Sequence, residues 1–213
     1  LGKKDDSAFY ADYAAKMKQA IQQEILPIEK PYADYMGRYI LALAFDLADG
    51  EWYKPYCDKL AELVQARNGK LGTGFLATPF ILQVLDRIGR HDLAKQILWQ
   101  TDCPGWLYEV KMGATSIWEN WGAVQPDGTP NKTSYDHYAF GVVDTYLTET
   151  VCGIQAAAPG FDKIRIAPCA DSGFSEFERS FISEHGEIRV CRCRDALAVA
   201  IPPNTTAEII WRG

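Results

Sequence analysis

Apolar residues recur every three or four positions through the first three quarters of this chain, and every second position from Pro159 onward. A helix buries a stripe of period 3.6 and a strand buries a face of period 2, so this change of period is a change of architecture. Phe9, Tyr13, Met17, Ile21 and Ile25 form a first helical stripe behind a cap expected at Asp6 or Ser7, and Pro27 and Pro31 break the chain after it. Met36, Tyr39, Ile40, Leu43 and Leu47 mark a second helix; Trp52, Tyr56, Leu60, Leu63 and Val64 mark a third, ended near Gly69. Thr78-Pro79 opens a fourth with a capping residue and a proline at the first helical position, and Gly89 stops it. Leu93, Ile97 and Leu98 belong to a shorter fifth helix. Tyr138, Val142, Val143, Tyr146, Leu147 and Val151 belong to a sixth.

In the tail, Ile164 and Ile166, then Leu197, Val199 and Ile201, then Ile209 and Trp211 alternate in strand fashion, with Pro202-Pro203-Asn204 as a turn. The chain therefore divides into a helical part, 1–158, and a β part, 159–213. The β part is too small to be stable alone and is expected to lean on the helices or on strands from elsewhere in a parent chain. Connections are short except Lys70 to Thr78 and Asp102 to Asp136. The second is about three times the usual length, which marks loops with a function or without order. Trp106, Tyr108, Trp118 and Trp121 lie in it, so it is expected to be packed.

Composition removes several classes of function. Of 213 residues, 47% are hydrophobic and 23% charged, which suits a chain with a sizeable core. A net charge of −6 argues against nucleic acid and anionic membrane surfaces as partners, since both demand basic patches. The first residue is Leu1 rather than methionine, as expected of a processed or excised piece. The six cysteines are scattered without a C-x-x-C pair. Cys57 and Cys152 fall in helical patterns as small core residues, Cys191 and Cys193 share a strand face, and no disulfide framework is expected.

Within Gly113 to Gly141 one acid, Glu119, stands between Trp118 and Trp121, and His137 follows a Gly/Pro-rich stretch. Sugars present apolar faces that stack on indoles and hydroxyls that bond to carboxylates and imidazoles. A W-E-x-W stretch in an aromatic loop thus suits a carbohydrate pocket, where an acid flanked by indoles can have a raised pKa useful in proton transfer. The alternative for Glu119 is a surface acid in a salt bridge, and for His137 a cap at the head of the sixth helix. His137 has a functional role only if it faces the same cavity as Glu119. With three histidines and no H-x-x-x-H spacing, no metal site is expected. Gly69-Lys70-Leu71-Gly72-Thr73-Gly74 lacks the phosphate-loop arrangement and reads as a flexible turn. No serine or cysteine stands in a nucleophile-elbow context.

The run LGTGFLATPFILQVLDRIGRHDLAKQILWQTDCPGWLYEVKMGATSIWENWGAVQPDGT, with SYDHYAFGVV and CGIQAAAPGFDKIRIAP, resembles the C-terminal part of the bacterial α-L-rhamnosidases of glycoside hydrolase family 78. The resemblance is dense from Leu71 to Pro168. It implies a mainly α chain with a C-terminal β unit: half of an (α/α)6 barrel, followed by a small β-sandwich portion. It implies release of terminal α-L-rhamnose from a glycoside or polysaccharide with inversion, without cofactor. On the matching motifs, Glu119 is the general base and His137 a sugar contact; Trp121, Trp118, Trp106 and Tyr108 shape the sugar pocket or hold its loop. Asn120 and Asp136 depart from the commoner residues beside these two. The family's general acid lies in an upstream acidic segment absent here, so the remainder of a parent chain is an expected partner and the isolated piece is expected to turn over little. Six helices are half of twelve, in keeping with this. Another (α/α)6 glycosidase, a phosphorylase, and a carbohydrate-binding protein that has lost the acid stay open as alternatives.

Overall fold

The expected helices are present in the computed structural model, which describes residues 2–27 and 33–211, but they differ widely in what they bury. Pro31 lies outside those residues. The chain forms two units, Leu1–Leu93 and Ala94–Gly213. The first holds α1 (Lys4–Glu24), α2 (Met36–Ala44), α3 (Tyr53–Ala66, entered through a 3-10 turn at Gly50–Trp52) and α4 (Thr78–Arg87). Helix α2 packs on both α3 and α4. Its Tyr39, Ile40 and Leu43 are buried with Tyr56, Leu60 and Val64 of α3 and Ile81 and Leu85 of α4. The Tyr39 and Tyr56 rings lie 4.9 Å apart. Tyr56 donates its hydroxyl to the Leu26 carbonyl at 2.7 Å and accepts from Arg38 Nε at 3.2 Å, so burying the phenol strands no polar atom.

Helix α1 departs from expectation twice. It begins at Lys4 rather than after Asp6 or Ser7, and Lys3 before it supplies no side-chain cap. Asp5 and Asp6 sit instead in the first turn, where negative charge favours the free N–H groups. Its apolar stripe buries nothing: Phe9, Tyr13 and Met17 are 63%, 54% and 46% exposed. Thr78 is likewise the first residue of α4 rather than its cap. Its hydroxyl donates to the Gly74 carbonyl at 2.9 Å and bonds the Thr73 hydroxyl at 2.8 Å, both threonines being buried. The Gly69–Gly74 stretch, expected as a flexible turn, is pinned by that pair.

Helix α5 (His91–Leu98) runs across the junction, and the second unit continues with α6 (Trp106–Lys111), which periodicity did not announce. The expected sixth helix is composite: a 3-10 turn at Tyr138–Val142, α7 at Val143–Tyr146 and a π turn at Leu147–Val151. Val142, Val143, Thr145, Thr148, Thr150 and Val151 are β-branched, which weakens a regular helix there. Gly153 (φ +75°) turns the chain into β1 (Ile154–Ala156), which precedes Pro159. A Cβ at Gly153 would stand 2.2 Å from the Ala167 carbonyl carbon, so only glycine fits.

Strands β2 (Lys163–Ile166), β3 (Glu176–Ser183), β4 (Gly186–Cys193), β5 (Ala196–Ala200) and β6 (Thr206–Ile209) complete the tail. One sheet runs β1-β2-β6, with β2 parallel to β6; the other is the antiparallel meander β3-β4-β5. Ile154, Ile164, Ile166, Ile188 and Val190 form their shared core, with Phe177, Phe181, Leu197 and Val199 packed against it. The tail rests on the helices of its own unit. Arg179 meets Asp144 at 2.6 Å, Lys95 meets Asp171 at 2.6 Å, and Trp99 Nε1 donates to the Ser172 carbonyl at 2.9 Å. None of the six cysteines is joined in a disulfide in the structure. Among the described residues no helix is long and apolar enough to cross a membrane.

Candidate active site

The stretch from Asp102 to Asp136 is held by its own aromatic rings. Helix α6 turns Trp106, Tyr108 and Glu109 inward. Trp121 stacks on Phe140 at 3.8 Å and meets Trp106 edge-on at 5.4 Å, while Trp106 Nε1 donates to the Phe140 carbonyl at 2.8 Å. Trp118 packs with Tyr108 and Ala123 and abuts Tyr135 edge-on at 5.9 Å. Tyr108 donates to the Val124 carbonyl at 2.7 Å. Trp106, Tyr108, Trp118 and Trp121 are only 6%, 4%, 3% and 7% exposed. Their rings are packed against protein within the loop.

Two backbone pairings clasp the ends of the loop. His137 N–H donates to the Ile117 carbonyl at 2.8 Å and Glu119 N–H to the Ser134 carbonyl at 3.1 Å. Between them a small hairpin closes where Asn131 N–H meets the Ala123 carbonyl at 2.8 Å, turning at Gln125–Gly128 with Gly128 at φ +87°. Asn120, one of the departures beside the acid, spends its side-chain oxygen on Gly122 N–H at 3.0 Å, which shapes the turn that returns Trp121 to the core.

The clasp sets the chemistry of Glu119. Its Oε2 accepts from Ser134 N–H at 3.0 Å and from the Thr133 hydroxyl at 3.2 Å. The Ser134 N–H and then the Thr133 hydroxyl hold its carboxyl below the ordinary range, outweighing the upward effect of burial, and the nearby His137 adds a smaller downward pull. The raised pKa expected from the neighbouring indoles is therefore reversed: Trp118 and Trp121 are buried in the loop, and the hydrogen bonds on Glu119 outweigh the upward effect of burial. Glu119 is half-buried, with one oxygen anchored and no protein donor on Oε1 among the described residues. His137 caps the 3-10 turn, its Nδ1 accepting from Ala139 N–H at 3.2 Å, and its ring stacks on exposed Tyr138 at 5.3 Å. Cap and neighbour of the acid are thus one residue.

A second acid escaped notice in the sequence. Glu109 is 1% exposed, and burial pushes its carboxyl up to about 7, with the Trp118 N–H bond to Oε2 (3.3 Å) opposing the rise. The available signal was its i,i+3 spacing from Trp106, which puts both on one face of a helix once α6 is recognised. Among the described residues no group of three or more His, Cys, Asp or Glu could hold a metal.

Helices followed by a small two-sheet unit are the architecture of this chain, and its family match places it in the class of six-hairpin glycosidases. Residues 1–151 match the family described as bacterial alpha-L-rhamnosidase 6 hairpin glycosidase domain, and residues 153–211 the bacterial alpha-L-rhamnosidase C-terminal domain. The chain belongs to the bacterial α-L-rhamnosidases, glycoside hydrolase family 78. It is 33% identical to an α-L-rhamnosidase of Streptomyces avermitilis over 98% of its own length and 21% of the relative's, and 33% identical to one of Formosa agariphila over 98% and 24%. It is similar to the solved structure of the Streptomyces avermitilis enzyme complexed with L-rhamnose, at a TM-score of 0.88 and 31% identity over 95% of this chain and 20% of that one. The native Aspergillus terreus α-L-rhamnosidase gives a TM-score of 0.92 at 29% identity, over 100% and 26%. The chain thus spans about a fifth to a quarter of these relatives' lengths.

Proposed function

We propose that this chain is part of an α-L-rhamnosidase that releases terminal α-L-rhamnose with inversion, and that Glu119 is its general base. The observation that carries this is the division of labour on one carboxylate: Oε2 tied by Ser134 and Thr133, Oε1 open to a water. A base must be ionised before it acts, and those donors favour the ionised form. In the step, Glu119 Oε1 takes a proton from water as the water oxygen bonds the anomeric carbon. The glycosidic C–O bond breaks, and its oxygen takes a proton from a second carboxyl on the opposite face. Inversion sets the two carboxyls roughly 6.5–9.5 Å apart, leaving room for the water. The second carboxyl belongs to the portion of the relatives that this chain does not span. His137, beside Glu119, contacts the sugar, and the four buried aromatics hold the loop that aims both. The exposed stripe of α1 supports a further partner, the remainder of a parent chain, since a row of aromatic side chains on a helix calls for cover.

The test is hydrolysis of an aryl α-L-rhamnoside by the longest natural protein carrying this sequence, wild type beside Glu119→Gln. Loss of turnover by roughly 10²–10⁴-fold or more in a folded variant is expected. Equal turnover of the two would remove Glu119 as the base, and a folded wild type without turnover would remove the substrate.

A further inference from the structure

We propose that Glu109 is a positioning residue for Glu119, acting through the Trp118 peptide. The proposal rests on the assignment of Glu119 as base. Glu109 stands on α6, and its Oε2 accepts the N–H of Trp118, the residue immediately before the base, at 3.3 Å. Its own carbonyl accepts Ala114 N–H at 3.0 Å, so both ends of this residue gather the segment that leads to Glu119. On the other side Glu119 is held by Ser134, through its N–H and through Oε2. The base is therefore strung between an inner anchor, Glu109, and an outer one, Ser134.

A carboxyl is an expensive choice for the inner anchor, because a backbone carbonyl or an amide could accept the same N–H. Glu109 is 1% exposed, and its Oε1 is buried without a hydrogen-bond partner among the described residues. It borders a cleft of about 460 Å³ walled by Leu98, Trp99, Trp106, Val143, Leu147 and Phe174, with no second ionisable side chain on its lining. Such a setting disfavours a charge, and among the described residues no cation acts on Glu109 to offset it; burial and the Trp118 N–H are the influences on its proton. The neutral acid fits the space and accepts the Trp118 N–H, whereas ionisation would place an unpaired charge against the apolar wall and draw water or movement into α6. Glu109 is not the proton donor to the leaving group: its carboxyl is enclosed and already committed to the Trp118 N–H, which bars it from a glycosidic oxygen.

The experiment compares wild type, Glu109→Gln and Glu109→Leu in the longest natural protein carrying this sequence, at a temperature where all three remain folded. It measures kcat and KM on an aryl α-L-rhamnoside from pH 5 to 9, and amide hydrogen exchange across residues 113–122. Glu109→Leu, which removes the acceptor, is expected to lower kcat roughly 10- to 100-fold with KM within about threefold, as misplacement of a reacting group does. It should also speed exchange at Trp118 and Glu119. Glu109→Gln keeps an acceptor and cannot ionise, so it should recover most of kcat at pH 6, keep the slow exchange, and lose less kcat than wild type between pH 7 and 9. Unchanged exchange in Glu109→Leu overturns the proposal, and so does kcat within twofold of wild type. A Gln variant as inactive as Leu at every pH overturns it in favour of proton donation by Glu109. If wild type lacks rhamnoside turnover while exchange follows the expected pattern, the anchor stands and the substrate assignment fails.

Discussion

Helix α1 and the Asp102–Asp136 loop are opposites. Over its 21 residues α1 is regular, carries a row of aromatic and aliphatic side chains, and buries none of them. The loop has one six-residue helix and otherwise turns, yet Trp106, Tyr108, Glu109, Trp118 and Trp121 are all buried within it. Regular backbone and burial are separate achievements. A helix satisfies its own amides wherever it lies, whereas an irregular segment must find partners for its own; in the loop the N–H groups of Glu119, Asn131 and His137 find the carbonyls of Ser134, Ala123 and Ile117, and the Trp106 and Tyr108 side chains tie down those of Phe140 and Val124. The loop's order is therefore bought with side chains, and damage to those side chains should be felt most.

Trp121→Ala is the largest expected effect. It removes a ring stacked on Phe140 and edge-on to Trp106, leaving a cavity where the loop returns to the core. Truncation of a buried tryptophan costs about 3–5 kcal/mol, which urea unfolding would register as a lower midpoint. A cost below 1 kcal/mol would mean that the loop is held by its backbone clasp alone, and the contrast with α1 would collapse.

Glu109 gives an effect of similar size with a sign that can be checked against pH. Its carboxyl lies at about 7 in the folded chain against an ordinary 4.5, so between those values the folded state binds the proton and the unfolded state does not. The stability it contributes is present below pH 4.5 and is lost as pH rises through 7, on the order of 3 kcal/mol in all. Glu119 runs the other way: held below the ordinary range, it contributes stability above the unfolded value that is lost as pH falls through its folded value. Unfolding midpoints of wild type and Glu109→Gln at pH 5 and pH 8 isolate the first term. The wild type should lose more stability over that interval than the variant, and parallel losses would place Glu109 in a wetter setting than its burial indicates.

The helices were legible in the sequence because period 3.6 is a property of neighbours, and α2, α3 and α4 lie where their stripes predict. What the stripes could not supply was the partner: the Phe9–Ile25 row reads as a core face, yet all of it but half-buried Ile21 is exposed. Helix α6 and the composite segment after His137 were hidden for different reasons. The first is too short to show a period, and the second is rich in β-branched residues that distort it. The hairpin of β3 and β4 escaped because charges such as Arg179 and Arg192, on its more buried face, break the apolar alternation. At the site, the W-E-x-W order and the resemblance marked Glu119 and His137, but not the direction in which the indoles point. That depends on Phe140 and Tyr135, which lie 19 and 17 positions beyond Trp121 and Trp118 respectively. Glu109 was illegible because a buried acid looks in sequence like any other glutamate on a helix.

Phe9→Ala is the smallest expected effect and the sharpest check on the contrast. Phe9 is 63% exposed and touches Tyr10 and Tyr13 of its own helix, at 5.3 and 6.3 Å between ring centres. Alanine is the better helix former, so the lost ring contacts are offset by propensity, and within the 213-residue chain the change should stay inside about 0.5 kcal/mol. The same substitution in a longer protein that covers α1 would remove a buried ring and cost about 3–5 kcal/mol. The difference between the two measurements is a direct reading of whether the α1 stripe is a surface or half of an interface. A small cost in both would leave the stripe a surface, and a large cost in both would mean that Phe9 finds cover within this chain after all.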